Sequence, residues 1–392
     1  MIGTKTRALV ALLLVASVLV SGLLVAGCSK AEKTEKEPIK IGVIGPFTGP
    51  NAKPGGRMRE GIELAVEEIN AKGGINGRKI VAIFEDDASQ PAQSVAAAEK
   101  LTTRDEVLLV IGAYNSACVL AHMKVTEREK TPQINPIAVA TAITESGNKY
   151  MFRNCATNPM QVSQLADYVL KNFNFQKFAM LFENTDYGRG IAEVFGPSVK
   201  RAGKQVVAEE TYNIGDTDFY SQLTKIKNLG PDALLIGGNL TEGSQIARQA
   251  RELGLNVQLL GLGGLSSPEF DQLCDGANEG LICTSYFELA TDDPLVKKFV
   301  EAYQKKFGKP PEMFAAAAYE AVYIAEEAIK KAGEHKNLAE WRQAVRDALA
   351  NIKDLPGVQG PTTFDEKGQA DKKVYIVQWK NHEKVILYPT GK

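Results

Sequence analysis

Four loops hold the residues best able to do chemistry. Gly112-Ala113-Tyr114-Asn115-Ser116 follows the apolar run VLLVI and opens a helix. Asn184-Thr185-Asp186-Tyr187-Gly188 occupies the same kind of place later in the chain, as do Gly237-Gly238-Asn239-Leu240-Thr241 and Leu262–Ser267. Each loop feeds a helix start, where unpaired N–H groups and the helix dipole favour an anion. Ser116 is a candidate N-cap whose hydroxyl, with adjacent N–H groups, suits a carboxylate. Tyr187 adds a donor and an aromatic face.

Catalytic chemistry finds little support. Only His122, His335 and His382 occur, far apart, one within a helical stretch and two in polar turns. There is no GxSxG elbow and no GxxxxGK[ST] phosphate loop. Gly261-Leu262-Gly263-Gly264 begins like a dinucleotide fingerprint but lacks its final glycine. Asp86-Asp87 lies at a strand end without a neighbouring ligand set, which fits turn and capping chemistry. No CxxC or Cys/His cluster points to a metal, and no cofactor is implied. The expectation is a binding protein, not an enzyme.

Positioning such loops takes strands and helices in alternation. Ile39–Gly45, Lys79–Phe84 and Val107–Ile111 read as strands, with helices at Gly61–Ala71, Pro91–Thr103 and Ser116 to about Glu129. The rhythm resumes with strands at Phe178–Phe182, Gln205–Glu209, Ala233–Ile236 and Val257–Leu260. Helices at Gly190–Ala202, Tyr220–Asn228 and Gly243–Leu253 separate them. Strands joined by helical crossovers imply two doubly wound parallel-sheet lobes, divided near residue 157. The tail differs: helices at Pro294–Phe307, Met313–Lys331 and Leu338–Ala350, then strands at Thr362–Phe364, Val374–Trp379 and Lys384–Leu387. The last two should form a hairpin. Such a tail returns to complete the first lobe before crossing again.

The N-terminus carries an address. Lys5 and Arg7 precede the apolar run Ala8 to Gly27, and Val25-Ala26-Gly27-Cys28 resembles a bacterial lipobox. Residues 1–28 therefore read as a lipoprotein signal peptide with Cys28 as the lipidated residue. The other reading is an uncleaved anchor helix, and both place the rest of the chain outside the cytoplasm. Ser29 to Pro38 is charged, without aromatic or large aliphatic residues, and reads as a flexible tether. Lys plus Arg (46) balance Asp plus Glu (47), so no basic excess favours nucleic acid. An exported chain can oxidise its thiols: Cys274 and Cys283 flank a short turn and could pair, or all of Cys118, Cys155, Cys274 and Cys283 stay reduced.

Motifs in order now carry a resemblance. Ile41-Gly42-Val43-Ile44-Gly45-Pro46-Phe47-Thr48-Gly49, then Ile69-Asn70-Ala71-Lys72-Gly73-Gly74-Ile75-Asn76-Gly77, Asp86-Asp87, Asp186-Tyr187-Gly188 and Ala277-Asn278-Glu279-Gly280 follow one another. From about Ile39 to Tyr388 the chain resembles the periplasmic leucine/isoleucine/valine-binding proteins of branched-chain amino acid ABC transporters. That resemblance implies the type I periplasmic-binding fold, α/β with two doubly wound lobes on a three-crossover hinge. The first lobe would comprise 39–157 plus 288–364 and the second 158–287 plus 365–392.

The resemblance also assigns a site. Ser116 matches the serine that holds the ligand carboxylate, beside Asn115. Ala138 matches a backbone contact, and Tyr187 matches a tyrosine that closes from the second lobe; hinge rotation would bring the Asn239 loop, read above from its place at a strand end, over the ligand as well. Phe47 and Phe314 would wall the pocket, with Tyr114 among the aromatic neighbours. Two positions depart: Val139 stands where amino-acid binders have Ser or Thr for the α-ammonium, and Gly263 where they have Glu. Asp186 or Glu242 could supply the missing carboxylate, and Thr141 a hydroxyl. The alternative is an aromatic or aliphatic carboxylate without an amine. The implied partners are that small ligand, the permease of an ABC importer, and the membrane through the lipid anchor. The protein is expected to be monomeric, at the periplasm or the outer face of the cytoplasmic membrane. A sensory module is the other open reading; with the chain ending at Lys392, it would need a separate signalling protein.

Overall fold

The apolar run IKIGVIG is buried almost along its length because it forms the inner strand β1 (Ile39–Gly45) of a parallel sheet covered on both faces. The computed structural model describes residues 36–289 and 291–389. The leader with Cys28 and most of the proposed tether lie outside the described residues.

After β1 come α1 (Ala52–Ala71), β2 (Ile80–Asp86), α2 (Pro91–Glu99, continued by a π turn to Arg104) and β3 (Leu109–Gly112). Then follow α3 (Ser116–Arg128), β4 (Gln133–Asn135), α4 (Ala142–Glu145) and β5 (Met151–Arg153). The sheet order is β2-β1-β3-β4-β5, every pair parallel. The chain continues through α5 (Asn158–Asn172), β6 (Lys177–Glu183), α6 (Asp186–Arg201), β7 (Gln205–Tyr212), α7 (Tyr220–Leu229) and β8 (Ala233–Gly237). Next are α8 (Leu240–Glu252), β9 (Gln258–Gly261), a 3-10 turn at Gly263–Ser266, α9 (Pro268–Cys274) and β10 (Ile282–Ser285). Three helices follow, α10 (Pro294–Phe307), α11 (Met313–Ala332) and α12 (Leu338–Ala350), then the hairpin β11 (Tyr375–Lys380) and β12 (Glu383–Tyr388).

The second sheet runs β12-β11-β10-β9-β8-β6-β7. Its parallel part, β7-β6-β8-β9-β10, repeats the winding of the first sheet. β11 and β12 extend it antiparallel at the β10 edge. The expected two doubly wound sheets and the hairpin are therefore present. The helical tail joins the first sheet's core: Phe314 to Ala318 of α11 bury in one cluster with Ile62 and Ala65 of α1.

Some expectations change. The helix read from Gly61 begins at Ala52, because tertiary packing outweighs the low helix propensity of Gly55, Gly56 and Gly61. The strand read at Thr362–Phe364 is absent; Thr362 and Phe364 make only isolated bridges to Leu355 and Ala370. Cys274 and Cys283 do not pair, and all four cysteines of the described chain are free and buried. Both thiols lie in the second sheet's apolar cluster, where burial pushes them up and away from the reactive thiolate.

Two crossing segments lie side by side. Arg153 N–H donates to Gly368 O, Ala370 N–H donates to Arg153 O, and Gln369 Nε2 donates to Cys155 O. Beside them Lys372 and Glu320 form a buried ion pair of 2.7 Å, with side chains 1% and 2% exposed. Lys372 also donates to Thr362 Oγ1 and Gly360 O, and Glu320 accepts from Gln359 N–H. This network ties the last crossing to the long helix α11.

Candidate functional site

In a wound parallel sheet, ligands sit beyond the carboxyl ends of the strands where the winding reverses. Here both sheets aim those ends at one cavity of about 190 Å³. Ser89 and Pro91 enter after β2, Tyr114–Ala117 after β3 and Ile137–Val139 after β4. Opposite them come Glu183, Thr185 and Tyr187 after β6, Ile214 after β7, Asn239 after β8, Gly263 and Gly264 after β9, and Tyr286 after β10. Gln161, Met313 and Phe314 complete the wall.

The first-sheet side offers donors. Asn115, not Ser116, is the N-cap of α3, and its side chain makes no capping bond. The first-turn N–H groups, which lack intrahelical partners, therefore remain available toward the cavity. Ser116 is the first helical residue, and its Oγ accepts from Ala140 N–H at 3.2 Å. That bond fixes the hydroxyl beside the Ala138–Ala140 loop. Arg153, fully buried, supports the same loop by donating to Ala138 O and Ala140 O.

The second-sheet side offers a carboxylate. Glu183 ends β6 and is 1% exposed. Its Oε1 accepts from Thr185 Oγ1 at 2.8 Å and its Oε2 from Asn239 Nδ2 at 2.7 Å. Burial, assisted by the nearby Glu242 charge, pushes Glu183 up to about 7 against those two hydrogen bonds. No Lys, Arg or His lines the cavity among the described residues. Asn239 Oδ1 accepts from Tyr114 O–H at 3.2 Å, so one polar chain spans the two sides. Apolar Ile137, Val139, Met313 and Phe314 line the wall, and Tyr114 meets Phe314 edge-on at 5.2 Å between ring centroids.

Nine of the ten residues expected at the site line this cavity: Tyr114, Asn115, Ser116, Ala138, Val139, Tyr187, Asn239, Gly263 and Phe314. Phe47 does not. Its ring packs edge-on against Phe84 at 5.6 Å and lies under the Arg59 guanidinium. The suggested substitutes also fall elsewhere. Asp186 is exposed and paired with Arg189, Glu242 is buried on Gly215 N–H, and Thr141 is exposed at the start of α4. Asp86 and Asp87 serve the turn, accepting from Phe47, Thr48 and Ala88 N–H and from Ser89 N–H respectively. His122 is buried between Ser94 and Gln133, and burial lowers it to about 3, so it stays neutral. Glu183, Gln161, Met313 and Tyr286 were not read from the sequence.

Contacts across the mouth hold the two sides together. Arg57 on α1 pairs with Glu269 on α9 through both Nε and Nη2, and Thr241 Oγ1 donates to Pro50 O. Burial lowers Arg57, but Tyr303 and Glu269 outweigh it and raise its pKa. Glu269→Ala is expected to favour an opened form by about 1–2 kcal/mol, roughly tenfold in population. A larger radius of gyration in small-angle scattering would register it; an unchanged radius would remove the pair from the closing contacts.

Comparison with known proteins follows the same lines. Residues 38–384 match the family model described as periplasmic binding protein. The Leu/Ile/Val-binding protein BraC3 of Rhizobium johnstonii is 34% identical over 343 residues, 87% of this chain and 92% of that one. The leucine-, isoleucine-, valine-, threonine-, and alanine-binding protein of Pseudomonas aeruginosa is 33% identical, covering 84% and 86%. Among solved structures, the branched-chain amino acid transporter substrate binding protein LivJ of Streptococcus pneumoniae, in complex with isoleucine, superposes with a TM-score of 0.82. It is 32% identical and covers 88% of this chain and 97% of its own.

Proposed function

The chain belongs to the periplasmic binding protein family, and from that premise we propose that it captures a small aliphatic amino acid between its two sheets and delivers it to the permease of an ABC importer. The carrying observation is the cavity where the strand ends of both sheets meet, with an uncapped helix start on one wall and apolar side chains around it. The N–H groups of α3 and the Ser116 hydroxyl receive the ligand carboxylate. Ile137, Val139, Met313 and Phe314 surround its side chain. The relatives named for leucine, isoleucine and valine support this ligand class.

Capture is a closing motion. The lobes, bounded as 39–157 plus 288–364 and 158–287 plus 365–392, rotate about the crossing segments, and ligand stabilises the closed form by contacts made only there. Tyr187 and the Asn239 loop close over it. Cleavage before Cys28 and its lipidation keep the monomeric protein at the membrane beside its permease. Two or three acyl chains make that attachment stable.

A thermal-shift series of amino acids is the test: aliphatic amino acids should raise the melting temperature in a concentration-dependent way. Ser116→Ala should weaken that binding by about 1–3 kcal/mol. An unchanged affinity in the variant would take Ser116 out of the site.

A further inference from the structure

Among the described residues the cavity lining has one carboxylate and no cation, and Met313 occupies the space beside the position expected to hold the acid. A Cβ on Gly263 would come within 2.9 Å of Met313 Cε and 3.2 Å of its Sδ. Met313 thus fills the space that a side chain at 263 would use. Val139 removes the hydroxyl expected nearby. On those grounds alone the ligand would lack an amine. Glu183 reverses that inference.

We infer that Glu183, at the tip of β6, is the ammonium-binding and specificity-determining residue of this cavity, so that its ligand is a zwitterion held between Glu183 and the start of α3. The inference rests on the amino-acid reading above and names the group that would enforce it. Each Glu183 oxygen accepts one protein hydrogen bond, from Thr185 and from Asn239, which leaves lone pairs for a further donor. The carboxylate is buried and has no ion-pair partner among the described residues. An α-ammonium supplies the missing charge, while an amine-free acid would bring a second anion to a buried one. The titratable groups around Glu183 are Glu242 of α8, Tyr187 of α6, Tyr212 of β7 and Tyr114 before α3. None is a cation, so none can replace the ligand's charge.

The test is calorimetric titration of wild type and Glu183→Gln with L-leucine and with its 2-hydroxy analogue, which differs only at the amine. Wild type should prefer leucine by roughly 100-fold or more, and the variant should bring the two acids within about tenfold. Glutamine keeps the size and both contacts, its Oε1 accepting from Asn239 Nδ2 and its Nε2 donating to the Thr185 hydroxyl, which reverses its role; a thermal melt checks the fold. Wild type supplies an independent arm: acidification from pH 8 to 5.5 should weaken leucine, by up to about tenfold per pH unit below 7, and strengthen the hydroxy acid, whose carboxylate no longer meets a second anion. Equal binding of both acids by wild type, or an unchanged preference in Glu183→Gln, would overturn the role of Glu183 while leaving carboxylate capture intact. Binding of neither acid would remove the parent reading and this one with it.

Discussion

Lys372→Met is expected to destabilise the protein by about 3–5 kcal/mol, measured by denaturant unfolding at pH 7.5. The substitution leaves Glu320 as an uncompensated charge inside the fold, where only Gln359 N–H, Thr362 Oγ1 and a long contact from Asn154 remain. Adding Glu320→Gln removes the buried charge and keeps an acceptor for Gln359 N–H, so the double variant should recover much of the loss. A single variant as stable as wild type would mean that the pair contributes nothing to anchoring the last crossing.

Gly61→Ala should also destabilise, by about 3 kcal/mol, against the sign of helix propensity. Alanine in a helix interior is favoured over glycine by about 1 kcal/mol. At Gly61, however, a Cβ would stand 2.2 Å from Ala315 O, so α1 and α11 would have to separate. Gly56 lies on the same helix with nothing within 4 Å of its Cβ, and Gly56→Ala should stabilise by about 1 kcal/mol. Opposite signs from one substitution on one helix isolate the packing effect. Two stabilised variants would show that the α1–α11 approach is looser than described.

The contrast between what could and could not be read from the sequence follows the range of each signal. Alternation of apolar strands and amphipathic helices is local, and it located β1, β3, β6 and β8 and most helices. The site loops followed because wound sheets place ligands at strand ends, which put Ser116, Tyr187, Asn239 and Gly263 around one cavity. The strands β4 and β5, three residues each, carry too little periodicity to be seen, and β10 was not read either. Missing the helix α5 hid Gln161 with it. Phe47 lies on the right loop, yet its ring turns to Phe84 and Arg59, a choice made by residues distant in sequence.

Glu183 shows the limit most clearly. In the chain it is the final residue of KFAMLFE, and its charge reads as an ordinary strand end. Its burial is made by Asn239 from another strand's loop and Thr185 beside it. A carboxylate closing an apolar strand just before a site loop was the available signal. Gly263 misled in the complementary way: an absent carboxylate in one loop says nothing of a carboxylate in another.

A crystal structure of the protein soaked with L-leucine tests the capture of an amino acid most directly. The expected result is density for one zwitterion in the cavity, its carboxylate within hydrogen-bond reach of Ser116 Oγ and the first turn of α3, its ammonium on Glu183. A vacant cavity at saturating ligand, or a molecule seated on the groove between Met160 and Tyr388 instead, would contradict it.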